Sequence, residues 1–180
     1  AGEGGEQREG TPGKILLELP GRAPSGPDGR PDPALRDSLI LTPGGQPVPD
    51  RGGWKVNISP RFSFGRRLLL QLDEMDASRW AGVLLDTGPD ANRVDRNRRL
   101  PPYPFFPHHH AAAEILSEAR KRVQGRGLVL AARTDHPASP ALEMADLLVT
   151  DASTDRIAGV RLAAGSLPVA AGGPANRRAW

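Results

Sequence analysis

Apolar runs separated by turn-rich stretches give the chain an alternating pattern, and these runs predict strands. The seven runs, the last of them the weakest, are KILLELP (14–20), SLILTP (38–43), WKVNI (54–58), AGVLL (81–85), LVLAART (128–134), DLLVTDAST (146–154) and GVRLAAG (159–165). Most have little polar alternation, which is typical of strands whose two faces are both covered.

Three other stretches have helical spacing. FGRRLLLQLDEMDASRW (64–80) places three leucines and Met75 on one face of a helix. HHHAAAEILSEARKRVQGRG (108–127) carries glutamates early and basic residues late, as the helix dipole prefers, and ends at a glycine. SPALEMA (139–145) predicts a short third helix.

From residue 54 onward the predicted strands and helices alternate, which indicates an α/β fold with a parallel sheet covered by helices. Residues 1–13 contain no large apolar side chain, so we expect them to be disordered. The α/β domain is expected to extend over 14–165. The Pro-, Gly- and Ala-rich residues 166–180 are expected to form an irregular tail.

Polar residues follow three of the predicted parallel strands: Asp86, Arg133 and Asp151. In parallel α/β folds the functional site lies at the carboxyl ends of the strands. These three residues are therefore the first candidates for a site. The alternative is that the two aspartates only cap the segments that follow them.

The length, charge and composition of the chain limit the classes of protein to which it can belong. A chain of 180 residues can bury the core of one domain. The net charge is only +3, and NRVDRNRR (92–99) is the one dense basic cluster, without a recognisable nucleic-acid-reading motif. We therefore expect no nucleic-acid partner. There is no cysteine, and no apolar run is long enough to span a bilayer.

A loop between the first and second of the strands that end in polar residues concentrates aromatic side chains. Tyr103, Phe105 and Phe106 either form a platform for sugar rings or pack against one another beneath a proline-stiffened turn. The histidines at 108–110 that follow diverge around a helix start, so we predict no metal site there. No glycine-rich phosphate motif is present, and no cofactor is predicted.

Two longer segments resemble a known family. WKVNISPRFSFGRRLLLQLDEMDASRWAGVLLDTG looks like the central part of the endo-alpha-1,4-polygalactosaminidase-like glycoside hydrolases, and GRGLVLAARTDHPASPALEMADLLVTDAST is similar to the next two strands of that family. The resemblance covers about residues 54–154. It implies a parallel (β/α)-barrel-like fold, here a partial or reduced TIM barrel, and an amino-sugar polysaccharide as substrate. It also implies that Asp86 and Asp151 are catalytic, and that Asn57 and Arg133 bind or orient the substrate.

Glycoside hydrolysis requires two carboxyl groups that flank the scissile bond, a role that two strand-end aspartates can fill. The sequence also departs from the family pattern. Asp151 replaces the usual glutamate, and Glu18 lies inside its strand instead of in a Gly-Glu strand end. A complete barrel typically needs about 200 to 250 residues, so another chain or a missing segment is expected to complete this one.

Two functions therefore stay open: an endo-acting glycoside hydrolase, and a non-catalytic carbohydrate-binding or structural relative with an incomplete site. Nucleic-acid binding through residues 93–99 is a third and weaker alternative. The chain begins at Ala1, which removal of a signal peptide and a cut chain would both explain. We expect an extracellular or periplasmic protein, with a cytoplasmic location as the alternative.

Overall fold

The computed structural model describes residues 16–50, 52–87, 94–134, 136–150 and 160–171. The strands are β1 (Leu16–Leu19), β2 (Arg22–Pro24), β3 (Pro49–Asp50), β4 (Gly53–Lys55), β5 (Gly82–Asp86), β6 (Val94–Asp95), β7 (Phe106–Pro107), β8 (Val129–Arg133), β9 (Leu147–Thr150) and β10 (Val169–Ala171). The α-helices are α1 (Ser63–Glu74), α2 (His108–Gln124) and α3 (Ala141–Met144), and residues 160–164 are also helical.

A five-stranded parallel sheet with the order β1-β5-β8-β9-β10 organises the fold. The five strands lie side by side in the order in which they occur along the chain, and helical residues separate each neighbouring pair in the sequence. The predicted α/β class with a parallel sheet is confirmed. Among the described residues this sheet is open, with β1 and β10 at its edges.

The pleat of the strands gives the sheet two different faces. On the first face, Val83, Leu85 and Leu130 share one buried core with residues of the helices such as Leu72 and Leu116. The second face carries a separate apolar cluster that consists of sheet residues: Leu84, Ala131, Val149 and Ala170, with Leu16 and Leu147 partly buried beside them. Because side chains alternate along a strand, Glu18, Asp86 and Arg133 also belong to this second face.

The segment before α1 differs from its prediction. β4 is antiparallel and lies between β2 and β3 in a separate three-stranded sheet, so WKVNI does not contribute to the parallel sheet. A Cβ atom on Gly53 would lie 2.2 Å from the Ala23 carbonyl oxygen, so this close pairing depends on a glycine. SLILTP forms isolated bridges only, at Leu39 and Leu41.

Two segments near the end of the described chain differ from what the sequence indicated. Residues 160–164 are helical, although GVRLAAG resembled a strand. Val160 is fully buried while Leu162 is 87% exposed, so the two apolar positions do not share one buried face. The expected irregular tail contains β10, which pairs in parallel with β9. No helix of the described residues is long and apolar enough to cross a membrane.

Candidate functional site

Asp86 and Arg133 meet at the carboxyl edge of the parallel sheet. They are the last residues of β5 and β8, and they stand opposite each other in the register of those strands. The Arg133 Nη1 atom lies 3.5 Å from Asp86 Oδ2. Two of the three strand-end residues singled out in the sequence are thus in direct contact.

Glu18 completes the group from the other side. Its Oε1 atom lies 3.1 Å from Arg133 Nη2, so the guanidinium reaches across β5 to β1. Sequence reasoning did not select Glu18, because it lies inside an apolar strand. The signal was the alternation itself, which places Glu18 on the same face as Asp86 once the pairing of β1 with β5 is known. We refer to Glu18, Arg133 and Asp86 as the charged cluster.

Exposure rises across the charged cluster from Asp86 to Glu18. The side chains are 12% exposed for Asp86, 20% for Arg133 and 43% for Glu18. Since both carboxylates contact one planar guanidinium, their nearest oxygen atoms lie no more than roughly 9 Å apart. Two acids and one base give these three residues together a formal charge of −1.

Asp151, the partner that the sequence predicted for Asp86, lies outside the described residues. Its catalytic assignment stays a prediction.

Asn57 has a different setting from the charged cluster. The residue is 2% exposed, and its side-chain amide nitrogen donates to Asp95 Oδ2 at 3.2 Å. Its Oδ1 atom accepts the backbone N–H of Ser59 at 3.1 Å. Both ends of the amide therefore stabilise the loop that leads into α1.

The aromatic loop divides into a buried and an exposed part. Phe106 is 2% exposed, and its ring contacts the Phe62 ring edge-on, with 5.8 Å between the centroids. Phe105 is half-buried. Tyr103 is 41% exposed, and its ring contacts the His110 ring in a tilted arrangement, with 5.0 Å between the centroids. Of the three predicted platform residues, Tyr103 presents the most surface to a ligand.

The histidines at the start of α2 are crowded. The His109 and His110 rings lie 4.6 Å apart, and partial desolvation, followed by the charge of His110, lowers the pKa of His109. Within the part of the chain that the structure describes, no group of three His, Cys, Asp or Glu residues could hold a metal ion.

Arg98, near the end of the basic cluster, turns inward. Its guanidinium donates to the Leu39 carbonyl at 3.1 Å, pairs with the buried Asp95, and lies 4.6 Å from the centroid of the Phe62 ring. This arginine therefore stabilises the loop packing. Arg96 and Arg99 are exposed.

A surface depression of about 540 Å³ lies on the side of α2 that faces away from the core. It is lined by Pro60, Arg61, Ala113, Glu114, Ser117 and Glu118. Arg61 Nε donates to Glu114 Oε1 at 2.9 Å, and Glu118 pairs with Lys121 and Arg122, so the charged lining groups already have partners. We place the candidate site at the charged cluster instead, because it occupies the strand ends where parallel α/β folds bind their ligands.

The comparisons with known proteins add no relative. No protein-family model, curated protein or solved structure matches the chain.

Proposed function

We propose that the chain is a barrel-related glycoside hydrolase of the endo-alpha-1,4-polygalactosaminidase-like type, which cleaves an amino-sugar polysaccharide at the carboxyl edge of its parallel sheet. The observation that carries this proposal is the charged cluster, in which two strand-borne carboxylates flank a single arginine. The polysaccharide is the expected partner.

The order of the strands supports a barrel-related fold. In a doubly wound sheet the strand order reverses at a switch point, and helices cover both faces. Here the five parallel strands follow one another in chain order, and the apolar cluster on the second face consists of sheet residues. Consecutive β/α units of a barrel would have this strand order, which supports the proposal. A further segment or chain would be needed to close it.

The chemistry of the charged cluster suits an amino sugar. A hexosamine without its acetyl group carries an ammonium, and a cluster with a net charge of −1 attracts such a ligand. The exposed Glu18 offers an acceptor for the ammonium, and the Arg133 donors suit sugar hydroxyl oxygens. In this proposal, Glu18 and Arg133 bind the sugar, and Asp86 acts on the glycosidic bond as the nucleophile that attacks the anomeric carbon, as the acid that protonates the leaving oxygen, or as the base that deprotonates the attacking water.

Catalysis requires a second carboxyl group near Asp86. Glycoside hydrolases separate their two carboxyl groups by roughly 5 to 9.5 Å, and the upper limit for Glu18 and Asp86 falls within that range. Glu18 is thus a candidate partner beside Asp151, and variants of each distinguish the two.

The position of Arg133 favours a second candidate function. It contacts both carboxylates, so a cation occupies the space between them. A site of this kind binds an amino sugar without cleaving it, as a carbohydrate-binding relative of the family would.

Incubation of the protein with galactosamine oligosaccharides, followed by measurement of new reducing ends, tests the proposal. We expect cleavage by the wild type and a loss of about 100-fold or more in Asp86→Asn, because a general acid or base contributes roughly that factor. Glu18→Gln and Asp151→Asn identify the second carboxyl group. Asp28→Asn is the matched control, since Asp28 is a 62% exposed loop carboxylate.

Binding without cleavage in the wild type would favour the second candidate function. If the wild type neither binds nor cleaves the oligosaccharides, or if Asp86→Asn cleaves as fast as Asp28→Asn, the proposed hydrolase is refuted.

A further inference from the structure

Buried hydrogen bonds connect the start of α2 to the ends of β5 and β8. His108, the first residue of α2, is 6% exposed, and its Nε2 atom contacts the carbonyl oxygen of Thr87. A carbonyl oxygen can only accept, so His108 Nε2 must carry the hydrogen.

Thr87 extends this connection to the neighbouring strand. The residue is 3% exposed, and its Oγ1 donates to the Arg133 carbonyl oxygen at 2.8 Å. The β5–β8 register ends at the pair of Asp86 and Arg133, so this bond holds the strands together one residue beyond their last pair.

The two faces of the sheet are coupled at this point. Thr87 lies one residue beyond the end of β5, and its backbone contacts His108 of α2 on the helix-covered side, while the Asp86 carboxylate belongs to the second face. Both residues contact Arg133: the Thr87 hydroxyl bonds to its backbone carbonyl, and the Asp86 carboxylate pairs with its side chain. We therefore expect a shift of Thr87 to displace both partners of that ion pair.

We infer that His108 is a positioning residue, which holds the backbone of Thr87 and thereby sets Asp86 and Arg133 in the charged cluster on the opposite face of the sheet. The inference concerns the same site as the proposed function and deepens it. Loss of the His108 donor leaves a buried carbonyl without that bond, and the ends of β5 and β8 then separate more readily.

The Nε–H group of Arg133 reports this separation without any ligand, because the Nε atom is buried in the folded protein. Its NMR signal can be assigned by its disappearance in Arg133→Lys. The rate of exchange of this hydrogen with solvent is measured in the full chain for the wild type, His108→Leu, His108→Gln and the control His109→Leu. His109 is an exposed histidine at the next position of the same helix. Urea denaturation of each variant accounts for exchange through global unfolding.

We expect exchange to be about tenfold faster in His108→Leu, which corresponds to the loss of one buried hydrogen bond. His108→Gln should restore the wild-type rate, since the glutamine amide can donate where Nε2 does. His109→Leu should not change it. Unchanged exchange in His108→Leu, or no restoration by glutamine, would overturn the inference.

Thr87→Val gives a second measurement if His108→Leu does not fold. It removes the hydroxyl donor and keeps the shape of the side chain, and faster Arg133 exchange is expected again; an unchanged rate contradicts the inference. Failure of the wild type to bind an amino sugar, with these exchange results as expected, would refute the proposed function and leave the positioning role intact.

Discussion

Replacement of Asp37 by alanine should lower the free energy of unfolding by about 1 to 2 kcal/mol, because a residue far from α1 in sequence caps its first turn. Phe62 occupies the N-cap position, where no side chain of its own makes a capping bond. The Asp37 carboxylate instead accepts the backbone N–H of Ser63, with distances of 3.0 and 3.2 Å to its two oxygen atoms.

The ion pair of Asp37 with Arg66 adds little to this value. The two groups lie 3.4 Å apart, but the Arg66 side chain is 58% exposed and that of Asp37 46% exposed. Pairs of this exposure contribute about 0 to 1 kcal/mol. For a protein of this size, the loss of 1 kcal/mol corresponds to a fall of about 2 to 4 °C in Tm.

The effect should depend on pH in a defined direction. Burial alone would raise the pKa of Asp37, but hydrogen bonds from Ser63 and Ser38 and the charge of Arg66 outweigh it and lower the pKa below its ordinary value of 3.8. A carboxyl group of this kind stabilises the fold above its unfolded pKa, and this contribution is lost as the pH falls through the folded pKa. The difference between wild type and Asp37→Ala should therefore be full at pH 7 and shrink below about pH 3.8.

Urea denaturation followed by tryptophan fluorescence, at pH 7 and at a series of acidic pH values, measures this difference. Glu74→Ala is the control, since Glu74 is an exposed carboxylate in the last turn of the same helix. Equal stabilities of the two variants at pH 7, within about 0.5 kcal/mol, would refute the cap. A difference that does not shrink in acid would refute the role of the charge.

Two other substitutions test how the fold is held together, and the same urea measurement reads both. Arg126 donates to the Leu72 carbonyl at 2.5 Å and to the Met75 carbonyl, and so caps the C-terminal end of α1. Arg126→Ala should therefore lower the free energy of unfolding by about 1 to 3 kcal/mol, and Arg126→Lys should lower it less. Equal stability of the alanine variant and the wild type would contradict this cap. Gly82→Ala should lower the free energy of unfolding by at least about 2 kcal/mol, because the added Cβ would lie 2.1 Å from the Val129 carbonyl oxygen. A decrease of less than about 0.5 kcal/mol would mean that β5 and β8 are not paired so closely.

The sequence predicted those elements whose apolar pattern is continuous and local. β5, with its buried GVLL run, and α2, with its apolar stripe, formed close to where they were expected. The predicted helix over 64–80 ends earlier, at Glu74, where Arg126 caps it from a distant part of the chain. A partner 54 residues away cannot be read from the local pattern.

In the candidate site, too, the residues set by local patterns were predicted and those set by contacts between distant segments were not. The strand ends identified Asp86 and Arg133, because the carboxyl edge of a parallel sheet is a property of the fold class. Glu18 was not predicted as a site residue, because its position beside them depends on the β1–β5 register, which no local pattern fixes. The contact of His108 with Thr87 was not predicted for the same reason, because a histidine at a helix start does not show which strand end it will contact.

Binding of an amino sugar at the charged cluster is the central claim, and isothermal titration of a galactosamine oligosaccharide tests it most directly. The wild type should bind, and the double variant Glu18→Gln with Asp86→Asn should bind at least about tenfold more weakly, since charge-assisted hydrogen bonds are lost. The N-acetylated oligosaccharide should show a similar loss, because it lacks the ammonium. No binding by the wild type, or equal affinities of the wild type and the double variant, would contradict the account.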